Sequence, residues 1–178
     1  MTGFGTPDKV TTWFCCNGDA EAMARLYTGL IPDSAIGTIT RSPLDNPGNS
    51  AGQVLTVTFT LAGRSFVALN AGPGFTFTEA MSLQVTCEDQ AEVDRYWYAL
   101  IADGGKPVQC GWLKDRFGVS WQVVPRRLPQ LITDPDPARA ARAMKAMMAM
   151  TRIDIAAIEA AAASPEGGGG DHPEGAAP

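Results

Sequence analysis

Histidine is almost missing from this chain: the only one among 178 residues is His172, close to the C-terminus. Its absence elsewhere excludes a Ser-His-Asp set, a histidine general base and a histidine metal ligand in the body of the protein. Cysteine is sparse too. Cys15, Cys16, Cys87 and Cys110 are present and none stand at CxxC spacing, which excludes zinc-ribbon and thioredoxin motifs. Nor is there a basic surplus: Lys+Arg 14 against Asp+Glu 19 gives a net charge of −5. Three of the acids, Glu166, Asp171 and Glu174, sit in the tail. The body is therefore near neutral, with no electrostatic footprint for nucleic acid. No apolar run approaches the ~18 residues of a membrane span, and the opening MTGFGTPDKV has no apolar signal core. The expectation is a cytoplasmic protein with reduced thiols that has neither nucleic acid nor membrane as partner.

What is present suffices for a packed core: 45% of residues are hydrophobic and 19% charged. Lys9–Cys16 reads as a strand from its β-branched and aromatic residues. Asn17, Gly18 and Asp19 then supply helix-capping chemistry, with Ala22, Leu26 and Leu30 on one helical stripe. Ala35–Arg41 is a second strand, and Ser42–Gly52, rich in proline, glycine and asparagine, is an exposed loop. From Gln53 to Leu61 the alternation is strict, with Leu55, Val57, Phe59 and Leu61 facing one way and Thr56, Thr58 and Thr60 the other. A tight turn at Ala62-Gly63 leads into the return strand Arg64–Asn70, and Ala71–Thr78 is a connector.

The pattern then restarts. Glu79–Cys87 is strand-like, and Asp89 with Glu92 three residues on opens a helix that ends at Gly104-Gly105. Three more strands follow: Lys106–Cys110, Gly111–Asp115 and Val119–Val124. A shift of 71 positions carries Cys16 onto Cys87, Ala20 onto Ala91, Glu21 onto Glu92 and Tyr27 onto Tyr98. Each unit reads strand, helix, three strands, and two such units can enclose a cavity between curved sheets. After Pro125 the composition changes. Asp136-Pro137 is a cap with proline at the first helical position, and one long or broken helix is predicted from about Pro137 to Ala163. The closing SPEGGGGDHPEGAAP has no core-forming residue and is expected to be disordered.

The βαβββ repeat resembles the module of the vicinal-oxygen-chelate superfamily, which includes glyoxalase I, extradiol dioxygenases and bleomycin-resistance proteins. Cys110–Pro125, CGWLKDRFGVSWQVVP, is more specific and is similar to the signature of the PhnB-like branch, known by the legacy name 3-demethylubiquinone-9 3-methyltransferase. Ala68–Phe77, Glu88–Asp94 and Met150–Ala157 resemble that branch as well. The resemblance implies an α+β fold of two βαβββ modules, about 9–71 and 79–125, pairing as curved sheets around a cavity within residues 1–129. A helical extension (130–163) and a Gly/Pro/acidic tail (164–178) follow. It also implies a two-fold homodimer.

Superfamily members that use metal place His, Gln or Glu at four inward strand positions. Carried over singly, these fall on Gln122, near Ser82, on Thr11 or Val10, and near Asn70. None brings a negative charge or an imidazole, so no metal cofactor is expected and the pocket is read as neutral and polar. Trp112 and Trp121 flank the Asp115–Gly118 turn. Each ring either borders the cavity mouth or packs in the core; if they border it, Gln84, Gln122, Asn70 and Ser82 are its polar groups. Lys114, Asp115 and Arg116 read as a solvated turn with local ion pairing, or as an anion grip at the rim. Cys110 is a buried thiol or, failing that, a reactive one. The Gly-x-Gly of Ala71–Phe75 lacks the following helix of an S-adenosylmethionine site.

The function these readings favour is binding of a small apolar or amphipathic molecule in a metal-free pocket. The rivals are a metal-assisted isomerase, lyase or dioxygenase, a methyltransferase by legacy name only, and a fold kept for assembly. No catalytic residue is identified. The methionine-rich helix after Ala138 looks too apolar to lie free in water, which gives a further reason to expect a partner subunit.

Overall fold

A computed structural model describes residues 9–164. It contains two four-stranded sheets. The first runs β1(Thr12–Cys16), β4(Arg64–Asn70), β3(Val54–Leu61), β2(Ala35–Arg41). The second repeats that order as β5(Leu83–Cys87), β8(Ser120–Pro125), β7(Trp112–Lys114), β6(Lys106–Pro107). In each, the first strand runs parallel to the fourth, and a helix, α1(Ala20–Leu30) or α2(Gln90–Ile101), carries the chain from the first strand to the second at the opposite edge. The α+β architecture of two βαβββ modules is the one the repeat implied.

Local sequence explains each element. The β3–β4 hairpin closes at Ala62 (φ 47°) and Gly63 (φ 76°), and two positive φ values are what a two-residue turn matched to strand twist requires. The Asp89 side chain accepts from the Glu92 N–H while the Glu92 carboxylate accepts from the Glu88 N–H, so the acid pair closes the start of α2.

The repeat carries a one-residue offset that sequence identity concealed. The strands superimpose at a shift of 71, Cys16 on Cys87, both buried at their strand ends. The helices superimpose at 70. The caps are Asp19 and Asp89, and the buried faces run Met23 and Tyr27 against Val93 and Trp97. The turn from strand to helix is one residue shorter in the second module. Tyr98, which matched Tyr27 by identity, is exposed, and Trp97 holds the buried place.

One hydrophobic core spans both modules. Phe14, Phe59 and Phe66 stack from the first sheet, and Tyr27 reaches Trp121 of the second with ring centroids 5.0 Å apart. The helix-bearing faces therefore meet each other. The opposite faces, carrying Trp13 and the threonines of β3 on one sheet and Gln84, Trp112 and Gln122 on the other, are left half-covered or open.

Beyond the second sheet, the long or broken helix expected over Pro137–Ala163 is a broken one, α4(Pro137–Met148) and α5(Ile155–Ala163), and a short helix, α3(Arg127–Ile132), precedes it. Helix α3 straddles residue 129, where the module domain was expected to end. Leu128, Leu131, Ala143, Ile153, Ile158 and Ala162 form a second core against Val124. The segment between α4 and α5 clamps onto the turn before β7: Cys110 and Gly111 donate to the carbonyls of Met150 and Thr151 at 2.8 and 2.7 Å. Gln90 fastens it to α2, donating to the Ile153 carbonyl and accepting from the Ile155 N–H. The extension thus buries part of its apolar surface, Ala143, Ile153, Ile158 and Ala162, on its own subunit, while Met144 and Met148 remain exposed. The expectation of a disordered tail falls on 165–178, outside the described residues, as does His172.

Candidate functional site

Strand register sorts the predicted site residues. On β8, Trp121 and Val123 point into the core shared with α2, while Ser120, Gln122 and Val124 point the other way. Trp112 lies opposite Gln122, and Gln84 pairs with Gln122 on the other side, so these three share the open face. Trp112, Trp121 and Gln122 therefore do not border one cavity. Trp121 is 2% exposed, and its Nε1–H donates to Asp115 Oδ2 at 2.9 Å.

Asp115 is not part of a solvated turn. It is buried and accepts four hydrogen bonds: from Tyr27 Oη, Trp121 Nε1 and the N–H groups of Phe117 and Val119. Burial pushes its carboxyl above the usual carboxylate range, and the donors pull it partly back. Its neighbours do pair at the surface, Lys114 with Glu79 and Arg116 with Asp103.

Asn70 is also structural. Its Oδ1 accepts from the Ala20 N–H at the start of α1, and its Nδ2 donates to the Val54 carbonyl. The register shows why the sequence misplaced it. Thr12 pairs with Phe66 as Leu83 pairs with Trp121, so the first-module counterpart of Gln122 is Val67. The equivalent positions are thus Thr11, Val67, Ser82 and Gln122. Two hydroxyls, an amide and an isopropyl group do not fit a divalent cation, which wants anionic oxygen, imidazole or thiolate donors. Among the described residues no group of three or more His, Cys, Asp or Glu stands where it could hold a metal ion. Val10, the other residue considered at the first position, is exposed.

Ser82 and Gln122 do come together, with Gln122 Nε2 donating to Ser82 Oγ at 2.8 Å. Ser82 sits at a seam between the modules that holds a cavity of about 230 Å³. One wall is the β1 edge (Thr12, Trp13, Phe14), a second is the connector through Phe77, and the third is Leu83, Val119 and Ser120. Ser120 was not singled out from the sequence, and a lone serine in a strand gives no signal that would have found it. A wider crevice of about 710 Å³ runs along β5, where Gln84 and Trp121 lie opposite Leu61, Arg64 and Phe66.

Cys16 and Cys87 are buried thiols. Burial pushes Cys16 and Cys87 up to about 12. Cys110 is half-buried at a strained turn (φ 61°) held by Met150. No helix follows Ala71–Phe75: Gly72, at φ 86°, packs backbone to backbone against Gly48, and the chain continues as loop. That geometry does not make an S-adenosylmethionine turn. No helix among the described residues is long and apolar enough to cross a membrane.

Comparison with known proteins bears on this arrangement. Residues 8–124 match the family described as 3-demethylubiquinone-9 3-methyltransferase. The PhnB protein of Bacillus cereus, whose structure carries that same name, is 38% identical, with a TM-score of 0.60 over 66% of this chain and 99% of its own. Protein PA1353 from Pseudomonas aeruginosa shares the fold at 19% identity, with a TM-score of 0.54 over 66% and 97% of the two chains. No curated protein matches. Helices α3 to α5 lie past the end of the family match.

Proposed function

The chain belongs to the 3-demethylubiquinone-9 3-methyltransferase family, the PhnB-like branch of the vicinal-oxygen-chelate superfamily, and on that premise we propose that it binds a small, uncharged, largely apolar molecule at the seam between its two modules without a metal ion. The observation that carries this reading is the Ser82–Gln122 hydrogen bond. Two of the four positions that could serve a cation are occupied with each other, beside a cavity with apolar walls. The family's methyltransferase name is not part of the proposal.

The reading includes a homodimer and a cytoplasmic setting. The open sheet faces, with Trp13 55% exposed on one of them, support the first. Four cysteines free of disulfides support the second.

The test is native mass spectrometry on the protein purified from its own host. A non-covalent organic adduct, with no stoichiometric divalent ion, is expected. A metal ion at one per chain, whose removal by a chelator lowers the melting temperature, would overturn it.

A further inference from the structure

We propose that the Ser120 hydroxyl is the hydrogen-bonding anchor of the seam cavity, and that the ligand is a compact neutral ring bearing one polar group. This rests on the reading of the seam as a binding site.

Ser120 is 2% exposed, and its Oγ is the one buried side-chain oxygen or nitrogen without a hydrogen-bond partner among the described residues. Folded proteins satisfy nearly all such groups, because a dry, unpaired hydroxyl has given up its hydration for nothing. On the same wall Ser82 holds Gln122 and Thr78 accepts from the Ala80 N–H, and Thr12 and Thr76 add further hydroxyls. The buried, unpartnered hydroxyl thus belongs to a residue that lines the cavity. The oxygen itself is sealed from solvent, so it meets an incoming group by turning from its buried position to another staggered one that faces the cavity. It can donate or accept, so a ligand hydroxyl and a ligand carbonyl fit equally.

The rest of the wall sets the ligand class. No residue lining the cavity is ionisable. A charged ligand would lose its hydration with no counter-charge to replace it, so the site selects neutral molecules. Trp13, Phe14 and Phe77 present aromatic surface, which favours a flat ring. At about 230 Å³ the space falls below the ~300–1,000 Å³ of drug-sized pockets, which limits the ligand to a compact one.

The experiment titrates the full chain by calorimetry with 4-methylphenol, acetophenone and toluene, which match in size and differ in polar group. The parent should bind the first two about 3- to 10-fold more tightly than toluene, the worth of one neutral hydrogen bond. Ser120→Ala should abolish that preference, leave toluene binding within about twofold, and melt no lower than the parent, since it removes an unpaired group. A preference that survives Ser120→Ala overturns the anchor while the binding site stands. Phe77→Trp, which fills the seam, should abolish binding of all three. If none of the probes binds the parent, or all bind Phe77→Trp unchanged, the seam is not the site and the underlying reading fails with the inference.

Discussion

The hydroxyl of Tyr27 donates to Asp115 Oδ2 across 2.5 Å, joining helix α1 of the first module to the β7–β8 turn of the second. The same carboxylate holds Trp121 and two backbone N–H groups, so one buried acid organises the hairpin and fastens the modules together. Tyr27→Phe should cost about 1.5–3 kcal/mol at neutral pH, the range for a hydrogen bond to a charged group. The sign of the pH dependence follows from the raised carboxyl. With a folded pKa above the unfolded one, the favourable contribution is complete below the ordinary aspartate range. It is lost as pH rises through the raised value. The Tyr27→Phe penalty should shrink as pH falls through that raised value, because a protonated Asp115 is a weaker acceptor for the Tyr27 hydroxyl. Denaturant melts of both proteins along a descending pH series check this, and a penalty that does not change with pH would show that the contact does not depend on the charge.

Metal should not stabilise the protein. Thr11, Val67, Ser82 and Gln122 supply no anionic donor, and Ser82 and Gln122 already bond to each other. Dialysis against manganese, zinc or nickel should leave the melting temperature unmoved, whereas a site filled at ~100-fold excess over its dissociation constant would add about 2.7 kcal/mol. An upward shift that Gln122→Ala removes would refute the neutral reading of these positions.

The helical extension should be integral to the second module. Ile153 is fully buried, and its side chain lies against Gly111, whose φ of 81° and closeness to the Val123 carbonyl leave no room for a Cβ. Ile153→Ala should cost about 2–5 kcal/mol. Gly111→Ala should destabilise as well, through strain at the same junction. Both should lower a single cooperative transition. Loss of the extension in a separate earlier transition, with the module melt unchanged, would show it to be an independent appendage.

Much of the fold was legible because it is written in local patterns. The strict alternation of β3, the Ala62-Gly63 turn, the Asp89/Glu92 cap and the repeat all appear as strands, turns and helices near the expected bounds. The site was harder, because a face is set by parity. Trp121 and Gln122 are neighbours in sequence and opposites in space, and only the pairing of Leu83 with Trp121 shows which one enters the core. Asn70 was misassigned for a related reason: the first and last strands of each module pair over a distance that no local motif records. Asp115 looked like a surface charge between Lys114 and Arg116. Its partner Tyr27 lies 88 residues away, and long-range burial of a polar residue leaves no local trace.

The proposed homodimer does not require the extension as its interface. If the methionine-bearing extension were the interface, a charge on α4 would disrupt assembly. The extension packs one side on its own subunit and leaves Met144 and Met148 exposed, while the sheet faces turned away from the shared core are also open. Trp13 is 55% exposed on the first of these, a large aromatic surface for a free monomer. Met148, 60% exposed, stands at the end of α4 on the extension. Light scattering of the full chain at micromolar concentration should give roughly twice 18.8 kDa. Trp13→Lys, which places a charge on the sheet face, should shift the mass toward the monomer, because an unpaired charge buried in an interface is costly. Met148→Lys should leave the dimer intact. The opposite pattern would return the interface to the extension, and a monomeric parent would remove the dimer from the proposed function altogether.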